Sequence, residues 1–539
     1  MDEGETVVIL AENISSSYPV MVKVLQLDSS HPGGSATSNI QLKNGVNTFT
    51  SSVAGNVYID YYSDNYKNAP AVGLHIIYGQ QNGYFKYDPA YPNDPAKSDS
   101  NEKWKKLLAN AKSEVIDIVT PRMHMLAPLY ALKAQCPARG SELAEKLDSI
   151  VYREWEILGY YKQGVDVSTN HQVCRPAASG IFAGGEGAYL NWGGFGAWVV
   201  PVFLPTWGIA HELGHNNQIS PFTWTGMTEV SNNVCSTWVQ YALPKNTDQP
   251  FRLEDEYINC SVGSVRGGRI QNFLDMDVTK TVKTLYSEAY HTAAGENYHW
   301  QNETEYNKAN TDHFVALVPL WQMILYTMGD AAGYAPDAFP GMYTDMRQNY
   351  SRYNALSAAE KRLNFFRVIC EQAQLNFIPF FEKANMFEPL DNVFIDDYSS
   401  GYMTITQSQL NQVRATIEAY NYEKVPSSLV FMNNYNYKRF RDKVVINPNQ
   451  LPVNSGCTAT TLNGHSVIKV DNYVWEGAVG YEACDAEGNV LHVTTFGLGD
   501  AVASDRYTYA IWKLSGDTET PAYLRAVGYD DSTEIIYQP

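Results

Sequence analysis

Basic residues are scarce: 39 Lys and Arg face 58 Asp and Glu, giving a formal net charge of -19 at pH 7. A chain so short of cations repels phosphate backbones, so nucleic acid is excluded as an expected partner. Cysteines are few and solitary. The seven (Cys136, Cys174, Cys235, Cys260, Cys370, Cys457, Cys484) form no CxxC pair and no dense framework, so this is not a small disulfide-stapled fold, and the redox compartment stays open. Long apolar runs are missing too. The best stretches, AWVVPVFLPTWGIA and HFVALVPLWQMILYTMG, are too short or interrupted by Pro, His and Gln to span a bilayer. Nor does MDEGETVVIL form a signal peptide, since it begins acidic and runs straight into a strand-like pattern. The expectation is that Met1 is an added start and that any export signal lies outside this sequence. Internal repeats and low-complexity segments are absent.

The length, 539 residues with 44% hydrophobic and 18% charged, suits two to four folded units. From residue 5 to about 98 the chain moves in short runs such as TVVILAEN, VMVKVLQL and NVYIDYY between Gly, Ser, Asn and Pro clusters. That pattern predicts an antiparallel β-sandwich. At NEKWKKLLANAK the spacing turns helical, and long helical stretches such as SELAEKLDSIVYREWEILGYY follow, so the middle reads as mainly helical with some strand. Near residue 425 alternating runs return (KVVINP, HSVIKV, AVGYEAC, TYAIWKL). The expected layout is therefore multidomain α+β: residues 1–98 an N-terminal β-sandwich, 99–425 the catalytic domain, and 426–539 a C-terminal β domain with glycan binding as a candidate role.

Within the middle stretch stands GIAHELGHNNQ. Residues at i and i+4 share one helix face, so His211 and His215 can point two imidazoles at one ion while Ile209 and Leu213 face the core. Glu212 is turned roughly a quarter of the way round the helix, at about 100° per residue. It can therefore reach a water at the metal as a general base without being a ligand. A catalytic zinc takes three protein donors and keeps one position open. The metzincin solution needs Gly and His three and six residues past the second His, where this chain has Gln218 and Pro221. That class is excluded. The other solution is a glutamate on a following helix, and TGMTEVSNNVCSTWVQY supplies Glu229. Val230, Val234, Trp238 and Tyr241 recur at helical spacing, which predicts an amphipathic helix capped by Thr228 or Thr225. Asn233, one turn after Glu229, is positioned to hydrogen-bond a histidine ligand.

HELGHNNQ followed by TGMTEVSNN resembles the enhancin-like and mucin-degrading zinc metallopeptidases, peptidase family M60, strongly over about 200–241 and in layout only over an N-terminal β domain leading into a helical catalytic domain, with no specified match for the C-terminal domain. The resemblance implies a gluzincin-like catalytic domain, Zn²⁺ on His211, His215 and Glu229, and Glu212 as base. It also implies O-glycosylated, mucin-type substrates, with some members cutting only beside a glycan. Upstream, GIFAGGEGAYLNWGGFGAWVVP is a candidate for the substrate-pairing edge strand and the glycan-facing wall. There Tyr189, Trp192 and Trp198 would stack on sugar, and Glu186 and Asn191 would bind hydroxyls. The plainer alternative is aromatics filling a core while glycines permit turns. His291, His299 and Tyr306 are candidates for steadying the tetrahedral intermediate. The expected protein is thus a secreted or cell-surface monomeric zinc endopeptidase acting on O-glycoproteins. The rival readings are a general zinc peptidase with no glycan requirement and a non-catalytic glycan-binding adhesin on a peptidase-like scaffold.

Overall fold

The computed structural model describes residues 1–539 except 64, 78–81, 165–170, 244–249, 280–289, 292–296, 299–312, 330–332, 396–400 and 502–503. It divides into two compact units, Met1–Tyr152 with Asp166–Asn216, and Arg153–Val165 with Asn217–Pro539.

In the first unit the alternating runs near the N-terminus become two antiparallel sheets. Thr6–Glu12 lies between Gly45–Thr50 and Gly73–Ile76, while Met21–Gln26 pairs with Ser35–Ala36, Ile40–Gln41 and Asn56–Asp60. The cause is the two-residue side-chain period of a strand. Val7, Ile9 and Ala11 all turn inward and share one core with Val20, Val22 and Leu42. Each sheet covers the other's apolar face, as in a sandwich.

A six-stranded sheet follows, in the order Ile181–Gly184, Gly187–Asn191, Gln172–Ala177, Met123–Pro128, Val115–Val119, Tyr84–Lys86. The "some strand" expected of the middle stretch understates it. Met123–Pro128 and Gln172–Ala177 run parallel to each other and are buried at nearly every residue. Strands covered on both faces lose the polar-apolar alternation by which a half-exposed strand announces itself. Beside this sheet in sequence, the Gly140–Ile157 helix keeps Leu143, Leu147, Ile150 and Val151 at 0% exposure, a single buried stripe.

The second unit carries most of the remaining helices. Val318–Met328 is buried along its whole length, and Ala338–Gln348 packs on Ala358–Ala373. Capping boxes at Ser357/Glu360 and Thr406/Gln409 start the Ala358–Ala373 and Gln407–Ala419 helices by satisfying backbone N–H groups that a first turn leaves unpaired. The unit ends in two antiparallel sheets: Cys457–Leu462, His465–Asp471 and Tyr507–Lys513, then Val490–Thr495, Ala478–Cys484, Tyr523–Gly528 and Thr533–Tyr537. Trp475, Tyr481 and Leu524 are among the residues of the core they share. The α+β composition expected from the sequence, with β structure at both ends, is present. All seven cysteines are free thiols, and no described helix is long and apolar enough to cross a membrane.

One buried acid in this unit couples folding to pH. Glu254, 3% exposed, accepts the indole N–H of Trp321 at 2.7 Å and the backbone N–H of Asn434 at 2.9 and 3.0 Å. Burial is the leading cause that pushes its pKa up to about 7. A folded-state value above the unfolded one means that the stability is fully present below the ordinary carboxylate range and is lost as pH rises through about 7. Glu254→Gln keeps an oxygen for Trp321 and carries no charge. Thermal melts from pH 5 to pH 8 should therefore show the wild type losing stability relative to the variant, by up to ~3 kcal/mol for a shift of this size. Parallel melting curves across that range would refute the assignment.

Candidate metal centre

The segment GIAHELGHNNQ folds as the Thr206–Asn217 helix. Its faces divide as the spacing requires: Ile209 and Leu213 are 0% exposed, and the two histidines are half-buried on another side. Gly208 lets the helix approach Trp198 closely, since a Cβ there would stand 2.6 Å from the indole ring.

The following stretch departs from the single helix expected. It forms two short helices, Thr228–Ser231 and Asn233–Ala242, broken at Asn232. The caps differ as well: Met227 occupies the N-cap of the first without a side-chain bond, and Thr228 is already helical. Val230, Val234 and Trp238 nonetheless make the expected buried stripe.

These helices bring His211, His215 and Glu229 together. One potential donor atom from each lies within 4.8 Å of the others. The two imidazoles stand at 90° with centroids 4.9 Å apart, so their nitrogens converge without the rings stacking. Glu229 is 8% exposed and Glu212 6%. A buried carboxylate needs a cation or several donors to offset lost hydration. Donors about 2.0–2.1 Å from a tetrahedral zinc lie roughly 3.3 Å apart, a spacing within reach of this cluster by small side-chain rotations. Two neutral imidazoles and one carboxylate form the donor set of a catalytic zinc rather than of calcium or magnesium, which prefer oxygen. The residues fit the ion.

Glu212 faces the same space: its Oε1 is 4.0 Å from His211 Nε2. Behind it lies the fully buried Cys174, whose thiol is held protonated first by burial and then by the Glu212 charge. The chain after the histidines is tied to the helix that carries Glu229. Gln218 Nε2 donates to the Thr228 carbonyl at 2.6 Å and to Ser231 Oγ at 2.7 Å, and Thr223 Oγ1 meets Ser231 Oγ at 3.0 Å. The glutamine that disqualified the metzincin pattern is what fastens the third donor. Asn233, 0% exposed, donates to the Glu229 carbonyl at 2.6 Å and accepts from Ser236, so it bridges the helix break around Glu229.

The aromatic wall upstream is distributed. Ile181–Gly184 is the sheet's edge strand, hairpinned to Gly187–Asn191. Glu186 is half-exposed and paired with Arg175 at 2.6 Å and Lys23 at 3.5 Å. Tyr189 stacks on Phe182 at 4.8 Å and reaches Glu186 through its hydroxyl at 3.4 Å. Asn191 accepts from the Gly193 backbone, shaping the turn. Trp192, 9% exposed, packs with Leu25, Leu27, Val115 and Leu126. Trp198 is half-buried against the histidine helix. His299 and Tyr306 lie outside the described residues, as does the side chain of His291. One buried acid near the histidine helix is missing from the residues expected at the site, although its signal is legible in the sequence. Glu154 falls on the apolar stripe of Gly140–Ile157, at the spacing of Leu147, Ile150 and Val151, and its carboxylate receives the Asn217 side chain.

Residues 97–261 match the family model of peptidase M60, enhancin and enhancin-like. Over that stretch the chain is similar to the enhancin-like M60 peptidases. All four residues of the candidate site lie within the matched span, and likeness to a metallopeptidase family points to a metal cofactor. No curated protein sequence matches the chain. Among solved structures, it is similar over 99% of its length to a metallopeptidase in complex with Tn antigen (TM-score 0.66, 18% identity, 92% of that chain). It is also similar to a metallopeptidase from Bacteroides thetaiotaomicron (0.65, 17%, 99% of this chain and 84% of that one). A third is the M60 catalytic domain of Clostridium perfringens ZmpC in complex with sialyl T antigen (0.57, 14%, 99% and 92%). At such identities these likenesses show the fold and leave the specificity of this chain to other arguments.

Proposed function

We propose that this protein is a secreted or cell-surface zinc endopeptidase that hydrolyses peptide bonds in O-glycosylated, mucin-like proteins and recognises a glycan near the cleavage site. The observation that carries the reading is the convergence of His211, His215 and Glu229 with Glu212 buried beside them. His211, His215 and Glu229 hold Zn²⁺, which supplies Lewis acidity toward water and the scissile carbonyl when bound. Glu212 takes the proton of the attacking water and passes it to the leaving amine, so the peptide C–N bond breaks as a C–O bond forms. The Gly140–Ile157 helix and the Gln218 tether hold the donors, while Asn233 fixes the Glu229 backbone.

The glycan half of the reading draws support from neighbours whose solved complexes contain Tn antigen or sialyl T antigen. Glu186, Tyr189, Asn191 and Trp198 are the proposed substrate wall, Trp192 being taken up by the core instead, with the exposed Ile181–Gly184 edge offering backbone groups to an extended peptide. Residues 1–98 and 426–539 would orient the 99–425 catalytic domain or bind glycan.

The test is digestion of a mucin-type glycoprotein before and after enzymatic removal of its O-glycans, with cleavage sites mapped by mass spectrometry and zinc measured in the same preparation. The expected result is about one zinc per chain, as a three-donor site implies, and cutting that disappears with the glycans. Equal cutting of both substrates would replace the glycan-dependent reading with a general peptidase. Glycan binding without any cleavage would replace it with an adhesin.

A further inference from the structure

The last turn of the Gly140–Ile157 helix reaches both segments that bear the metal donors. Glu154 Oε2 accepts from Asn217 Nδ2 at 2.9 Å, and Asn217 is the final residue of the helix that carries His211 and His215. Two residues on, Glu156 accepts the indole N–H of Trp238 at 2.9 Å, and Trp238 lies in the Asn233–Ala242 helix that follows Glu229. One helix therefore bonds to the end of the histidine helix and to the middle of the helix that follows Glu229.

Glu154 is an expensive choice for that place. It is 0% exposed, and its Oε1 has no hydrogen-bond partner among the described residues. Its stripe neighbours Leu147, Ile150 and Val151 show what the helix otherwise puts there. A buried polar atom without a partner carries a desolvation penalty that a leucine would not incur. Packing alone would not retain it. Burial holds the carboxyl well above the ordinary carboxylate range, which disfavours a charge at this place.

We propose that Glu154 is a positioning residue of the metal centre: by holding the Asn217 side chain it fixes the rotation of the histidine helix about its own axis. Helix rotation is what the site is sensitive to. Each residue step turns the helix by about 100°, so a rotation of even a fifth of that swings both imidazoles off a shared point. Glu156, through Trp238, sets the partner helix against the same support. The inference rests on the metal reading above, because only a bound ion requires the imidazoles and Glu229 to meet.

The experiment compares wild type, Glu154→Leu, Glu154→Gln, Asn217→Ala and Glu154→Leu/Asn217→Ala, each as the full chain. Zinc affinity is read by competition with a chelating dye, ligand geometry by the visible spectrum of the cobalt-substituted protein, and folding by thermal melting without metal. Glu154→Leu should melt within a few degrees of wild type or above it, yet bind zinc about 10–100-fold more weakly, the size typical of losing an outer support of a metal site. Its cobalt spectrum should change. Glu154→Gln, which still offers an oxygen to Asn217, should recover most of the affinity. Asn217→Ala should reproduce the loss, and the double variant should be no worse than either single one, as expected for two ends of one bond. Should Glu154→Leu fail to fold, Asn217→Ala carries the test alone. Wild-type affinity and an unchanged cobalt spectrum in Asn217→Ala, or strictly additive losses in the double variant, would overturn the positioning role while leaving the zinc site intact. A wild-type protein that binds no zinc would instead overturn the metal reading itself.

Discussion

Glu212→Gln should retain zinc and lose cleavage, with kcat reduced by about 10³-fold and KM little changed. The magnitude is that of removing a general base. The direction follows from geometry: Glu212 Oε1 stands 4.0 Å from His211 Nε2, on the side of the donors but outside their converging set. The amide fills the same 6%-exposed space, so the surrounding packing survives and the helix keeps its histidines. Zinc content, melting temperature and peptide cleavage measured on one preparation separate the two roles. A variant that still cuts at a tenth of the wild-type rate would remove Glu212 from the mechanism; one that loses zinc as well would make it a ligand.

Glu229→Ala should fail differently, through the metal. The variant leaves two imidazoles on one helix and no third donor. Its zinc affinity should fall by more than about 100-fold, beyond what losing an outer-shell partner costs. Because a bound ion stabilises the native state by mass action, added zinc should raise the wild-type melting temperature and leave that of Glu229→Ala nearly still. Its backbone role through Asn233 gives a control. Asn233 donates to the Glu229 backbone carbonyl, a bond that Glu229→Ala keeps, so the variant should fold without metal. Wild-type zinc binding by this variant would require another carboxylate in place of Glu229.

The contrast between these variants and Glu154 shows where residue spacing is informative. His211, Glu212 and His215 are related by the geometry of a single helix, in which each residue is turned by about 100° from the last. Their grouping is therefore readable from spacing alone, and so is the buried face of Ile209 and Leu213. Glu229 is readable at one remove, because the link from Gln218 is too short to let the next helix go far. The break at Asn232 and the Met227 cap are not, because they lie within a link whose bonds, Gln218 to the Thr228 carbonyl and to Ser231 Oγ, form only in the folded chain. The terminal β runs betray themselves by alternation, whereas Met123–Pro128 and Gln172–Ala177 do not, being buried on both faces. The wall residues divide in the same way. A tryptophan has the same letter whether it packs with Leu25 and Leu126, as Trp192 does, or lies half-buried over Gly208, as Trp198 does.

By itself, then, the sequence determined the chemistry available: a pair of imidazoles and a base on one helix, a carboxylate a short link away, β structure at both ends, and too few cations for nucleic acid. Only the tertiary structure decided that the three donors meet within 4.8 Å, that Gln218 fastens the third of them, and that Glu154, far off in the chain, grips the end of the histidine helix. The physical reason is range. Helical periodicity and short links act over a few residues, and their consequences can be read in order along the chain. The supports of a metal site are chosen by packing, which joins residues at any separation and leaves in the sequence only the faint mark of a carboxylate on an otherwise apolar stripe.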